Sequence, residues 1–137
     1  MSFRYKSALL SLVSMALVYG WFFIALIVNR HGAGHTNPVA HLATAIVALA
    51  LIQIVGHAII AGTSSDKYGA LDERERAFDR RATMVGYYVL IVGALAAIAT
   101  LHIGFSGPNM GHAVLLAIVV AECTRQAVFL ILHHRAA

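Results

Sequence analysis

Residues Val39–Ala61 read VAHLATAIVALALIQIVGHAIIA, without one Asp, Glu, Lys or Arg. A run of this length matches the ~20 apolar residues that carry an α-helix across a ~30 Å hydrocarbon core. In lipid every backbone amide has to bond within its own segment, so a helix is the form such a run takes. Working outward, the same reading repeats at about Ser7–Val28 before it and at about Thr83–Phe105 and His112–Leu132 after it. The third helix is expected to start earlier, near Glu73, because no Gly or Pro lies between Asp72 and Val85. The expected fold is all-α, a four-transmembrane-helix bundle forming one integral membrane domain over 1–137. Its helices fall at about 7–28, 39–61, 73–105 and 112–132, with helix three extended into the cytoplasm and unbroken to Phe105.

Composition agrees. Of 137 residues 60% are hydrophobic and 12% charged, against about 25% charged in an ordinary soluble domain. A chain this short keeps too much surface to hide that apolar excess in a water-soluble core. The single cysteine, Cys123, excludes an internal disulfide, a CxxC redox pair and a cysteine-based zinc site. Arg4 and Lys6 ahead of the first apolar run resemble a signal peptide. The run is too long for that and has no A-x-A site before the Asn29–His35 loop, so it is expected to be retained.

Breaks and charges give an orientation. Asn29–Pro38 is glycine-rich and polar, and Pro38 suits the first position of a helix. Gly107-Pro108-Asn109 is expected to form a tight turn between helices three and four. Arg4, Lys6, Lys67, Arg74, Arg76, Arg80, Arg81 and Arg135 fall on one side of the four spans, and Arg30 on the other. The positive-inside rule then places both termini and the loop 62–82 in the cytoplasm.

That loop holds the most distinctive stretch, Leu71-Asp-Glu-Arg-Glu-Arg-Ala-Phe-Asp-Arg-Arg-Ala82. Asp72 and Glu75 have the spacing of a capping box, and acids in a first turn suit the helix dipole. Leu71, Phe78 and Val85 recur every seven residues, and Glu73–Arg76 or Asp72–Arg76 can pair along the helix. The plain reading is a solvated helix stub. The sharper one is a docking surface for a cytoplasmic protein or for the second copy of a dimer, made by Asp72, Glu73, Arg74, Glu75, Arg76, Phe78, Asp79, Arg80 and Arg81. Its five bases are matched by five acids (Asp66 completing the set), which argues against nucleic acid. This run, leading straight into an apolar helix with Tyr87-Tyr88, resembles a group of small bacterial and archaeal four-helix integral membrane proteins. They share a D-E-R-x-x-x-[apolar]-x-x-[RK]-A loop before a transmembrane helix. The resemblance implies a bacterial or archaeal cytoplasmic membrane and carries no site residues over.

Ionisable groups at bilayer depth usually face other protein. Helix four carries Glu122, Arg125 and Gln126 on one stripe, and helix two carries Gln53 and His57 on one face at matching depths. The expectation is an inward carboxylate at Glu122 bonded to Arg125, or through it to Gln53 and His57. Such a cluster either holds two helices in register or forms a site for an ion or polar molecule in a small dimeric carrier. Gly86, Gly93, Ala97, Thr100 and Gly104 form a small-residue stripe, for packing within the chain or for a homo-oligomer seam.

Eight histidines are many for this length. His41, His102 and His112 are expected near one extracytoplasmic level, with His31 and His35 beside them. Imidazole is the commonest metal ligand, so a divalent metal or a haem is an alternative to ordinary interfacial histidines. No HExxH, GxSxG, P-loop, CxxCH or dinucleotide fingerprint occurs. The expected function is non-enzymatic: a multi-pass protein that binds or regulates a partner, with the carrier and the haem or metal protein as alternatives.

Overall fold

The computed structural model describes residues 3–31, 37–63, 73–104 and 107–135. The chain is all-α. Helix α1 is Phe3–His31, α2 is Pro38–Thr63, α3 is Glu73–Ala99 and α4 is Gly107–Arg135, and a 3-10 turn at Thr100–Ile103 follows α3. At 1.5 Å per residue the four run to roughly 39–44 Å, longer than a ~30 Å hydrocarbon core. All four are long and apolar enough to cross a membrane. Large apolar side chains such as Leu17, Ile54 and Val92 stand two-thirds exposed, at 68%, 68% and 67%. In water faces like these would be a liability, whereas against lipid they are at rest.

The ends of the helices follow from local chemistry. Asn37 caps α2: its Oδ1 accepts the Val39 N–H at 3.0 Å and its carbonyl accepts the His41 N–H at 3.1 Å. Pro38 then takes the first helical position, where a missing N–H costs nothing. Helix α3 starts at Glu73, with Glu73 and Glu75 in its first turn. Asp72, the other half of the expected capping box, lies outside the described residues.

Helix α3 is not α-helical to Phe105 as expected. It stops at Ala99 and tightens into the 3-10 turn. The Thr100 hydroxyl donates to the Ala97 carbonyl at 2.5 Å, which competes with the regular ladder. Gly104 then takes φ +82, the left-handed conformation that closes helices and suits glycine. The turn expected at Gly107-Pro108-Asn109 is also displaced. These residues open α4, and proline belongs in a first helical turn.

The chain divides into two compact units, 1–67 and 68–137. In the first, α1 and α2 pack antiparallel, with Leu10 against Gly56 and Trp21 beside His41, ring centroids 5.6 Å apart. In the second, α3 and α4 pack antiparallel through small residues. A Cβ built on Gly93 would meet the Ala117 Cβ at 2.7 Å. One on Gly86 would meet the Arg125 Cβ at 3.0 Å and the Ala121 carbonyl at 3.2 Å. Ala82, Ala97, Ala117 and Ala121 are buried as well. The Gly86 and Gly93 part of the small-residue stripe is thus used for packing within the chain.

Candidate functional site

Three groups of polar side chains stand out, each built on a single helix or a single hairpin. The first joins α1 to α2. Ser7, Ser11 and Ser14 lie four and three residues apart, so all three fall on one face of α1. Gln53 and His57 do the same on α2. The Ser7 Oγ lies 2.7 Å from the His57 Nε2, and the His57 Nδ1 lies 2.7 Å from the Gln53 carbonyl oxygen. The Ser11 Oγ donates to the Gln53 Oε1 at 3.2 Å, and the Gln53 Nε2 donates to the Ser14 Oγ at 2.9 Å. Ser14, itself 4% exposed, donates onward to the Ser11 carbonyl at 3.2 Å. Gln53 and His57 are therefore engaged with serines of α1. The sequence reading missed those serines, although their helical spacing opposite Gln53 and His57 was legible.

The second group lies near the middle of α4. The Arg125 Nε is 3.3 Å from the Glu122 Oε1, with the two side chains 38% and 35% exposed. The Gln126 Nε2 donates to the same oxygen at 2.8 Å. Both contacts run between neighbouring turns of one helix. The stem of Arg125 lies against Gly86 of α3. Cys123, beside Glu122, is half-buried.

The third group is the charged start of α3. Glu73, Arg74, Arg76, Arg80 and Arg81 are exposed, while Glu75, Phe78 and Asp79 are half-buried. Glu75, Phe78, Asp79 and then Ala82 follow the helical period that turns one face inward. Two of the three described acids thus turn partly away from solvent, and the exposed face is basic. Glu73 and Arg76, spaced to pair, form no ion pair among the described residues. Arg74 instead lies over the Phe78 ring, 5.7 Å from its centroid.

The histidines expected to cluster are divided between the two units. Among the described residues no group of three or more His, Cys, Asp or Glu side chains is placed to hold a metal ion. His41 belongs to the first unit, and its ring, partly covered beside Trp21, has a buried Nδ1 with no described partner. His102 and His112 belong to the second unit, in the 3-10 turn and near the start of α4. The side chains of His31 and His35 lie outside the description. His133 stacks on Phe129, centroids 6.1 Å apart. With His134 and Arg135 it occupies the last turn of α4, where cations suit the dipole.

No protein family, curated protein or solved structure matches the chain.

Proposed function

We propose that the chain is a multi-pass protein of a bacterial or archaeal cytoplasmic membrane, with both termini and the loop 62–82 in the cytoplasm. In this reading it performs no catalysis and binds or regulates a cytoplasmic protein partner through the charged start of α3. The observation that carries the proposal is the uneven exposure along that segment: Arg74, Arg76, Arg80 and Arg81 outward against one outward acid, Glu73, with Glu75 and Asp79 half-buried. A basic face of this kind attracts an acidic surface and orients its approach.

The placement of the segment supports a regulatory role. The charged turns continue without a break into the apolar part of α3, so a partner held there grips the same rigid rod that packs on α4. The resemblance of the Asp72–Ala82 run to small prokaryotic membrane proteins supports the location.

The test compares the full chain in nanodiscs of neutral lipid with its Arg76→Glu, Arg80→Glu variant, each used to capture cytoplasmic proteins at low and high salt. The expected result is one acidic protein, retained by the wild type, released by salt and absent from the variant. Equal capture by both forms, or none by either, rejects the reading. Binding that appears only with anionic lipid in the disc would reassign the face to head groups.

A further inference from the structure

In the α1–α2 hairpin a hydroxyl lies on an imidazole nitrogen, and the imidazole is itself held from behind. The Ser7 Oγ is 2.7 Å from the His57 Nε2, and the His57 Nδ1 is 2.7 Å from the Gln53 carbonyl oxygen. A carbonyl only accepts, so the ring with one hydrogen carries it on Nδ1 and turns the Nε2 lone pair to the hydroxyl. A nucleophile within hydrogen-bond reach of a base, with the base oriented by a third group, is the arrangement that activates a serine. Helix register alone requires less, since Gln53 already bonds Ser11 and Ser14 across the same two helices. All these groups belong to one hairpin, so their geometry does not depend on the second unit.

The depth of the pair selects its electrophile. Ser7 is four residues, ~6 Å, from the start of α1 at Phe3, and His57 is six residues, ~9 Å, from the end of α2 at Thr63. Helices of roughly 39–44 Å, centred on a ~30 Å hydrocarbon core, overhang it by about 5–7 Å at each end. The Ser7 hydroxyl therefore falls at the boundary between hydrocarbon and head groups, the level of the ester carbonyls of glycerolipids. Arg4 and Lys6 lie on the outer side of Ser7. Basic side chains near a helix end reach out to the phosphate level just beyond. Ser7 and His57 are each half-buried, and esters are already concentrated where they stand.

We propose that Ser7 is a modification site that takes an acyl group from an ester of a membrane glycerolipid, with His57 as the base. The Ser7 Oγ attacks the ester carbonyl carbon while its hydrogen passes to the His57 Nε2. The bond from that carbon to the glycerol oxygen breaks, and the oxygen leaves with the hydrogen from Nε2. One ester is exchanged for another, the lipid becomes a lysolipid, and no further reactant is needed. The Nδ1–H donates to the Gln53 carbonyl throughout, which keeps the ring aimed and favours the positive charge it holds between the two proton transfers. The acyl group stays on the chain near the start of α1, so the event is a modification and not a turnover. This inference is independent of the partner proposed for the start of α3.

The test places the full chain in liposomes of phosphatidylethanolamine and phosphatidylglycerol whose acyl chains are all heptadecanoyl. A group acquired there is told by mass from any brought from cells. Intact and fragment masses are then followed over time. The expected adduct is a single heptadecanoyl group on Ser7, with lysolipid formed in equal amount. Ser7→Ala should take up none, while the Gln53 bonds to Ser11 and Ser14 still hold the hairpin. Should that variant fail to fold, His57→Gln, which keeps an amide between the Gln53 carbonyl and Ser7, should slow the uptake on the order of 100-fold. A wild type that acquires no heptadecanoyl group, or carries it on another residue, overturns the proposal. So does a His57→Gln variant that is acylated as fast as the wild type.

Discussion

The Ser7 hydroxyl lies 2.7 Å from Nε2 of His57, on a ring whose Nδ1 lies 2.7 Å from the Gln53 carbonyl oxygen. A carbonyl only accepts, so Nδ1 carries the hydrogen, and in the tautomer with that one ring hydrogen Nε2 accepts from the serine. The histidine is fixed by its own helix and then used as a hook for the next one. Two helices whose apolar sides would slide freely in lipid gain a defined register.

Removing parts of this ladder should loosen the first hairpin by small, ordered amounts. Ser7→Ala deletes one bond, and about 0.6 kcal/mol is the usual worth of a side-chain hydrogen bond in a membrane. Gln53→Leu deletes the contacts to both Ser11 and Ser14 and should cost about twice as much. Reversible unfolding in bicelles measures both. Stability unchanged in Gln53→Leu would show that the serines hold nothing.

The second hairpin should respond to volume instead. Gly93→Val drives a side chain into Ala117, an overpacking that costs about 1–3 kcal/mol. Adding Ala117→Gly should return part of it. Gly20→Ala and Gly62→Ala, where an added Cβ meets nothing within 4 Å, serve as controls and should be neutral or slightly stabilising. A Gly93→Val variant as stable as the controls would contradict the close α3–α4 approach.

Much of this was legible in the sequence. The uncharged run Val39–Ala61 and its three counterparts gave the helices, Asn37-Pro38 the start of α2, and the charged run from Glu73 the start of α3. The end of α3 was not legible, because Thr100 and Gly104 each read as members of a small-residue stripe. Only the backbone reveals that one back-bonds to Ala97 and the other adopts positive φ. The partners of Gln53 and His57 were missed for a related reason. Charge draws the eye to Glu122 and Arg125, whereas serine looks inert in an apolar run until it faces an amide.

Breaking the α4 pair from one side should hurt more than removing it. Glu122→Gln takes the carboxylate from Arg125, which stays charged at any workable pH, and should destabilise the chain clearly, by up to about 1.7 kcal/mol. Glu122→Gln with Arg125→Met should recover most of that, because it removes the orphaned charge together with its partner. The same bicelle measurement decides. A double variant no better than the single would mean that the two residues do not act as a unit.

Orientation is tested in intact cells. In a Cys123→Ala background, single cysteines at Ser65 and Gly107 should label from opposite sides, Gly107 alone reacting with a membrane-impermeant reagent added outside. The expectation rests on the Lys and Arg count across the spans. Labelling of Ser65 from outside would invert the orientation and remove the start of α3 from the cytoplasm.

The two hairpins are fastened by different means, one by hydroxyls, an amide and an imidazole, the other by glycine and alanine letting backbones draw close. They should therefore come apart in different solvents. An alcohol that offers hydrogen bonds of its own competes directly for Ser7, Ser11, Ser14 and Gln53, yet it offers nothing that replaces the fit of Ala117 over Gly93. Thinning or swelling the lipid changes lateral pressure on that fit and leaves the hydroxyls their partners. One chain thus holds two junctions of separate sensitivity, one chemical and one mechanical, and a change in the surrounding bilayer could loosen either while the other holds.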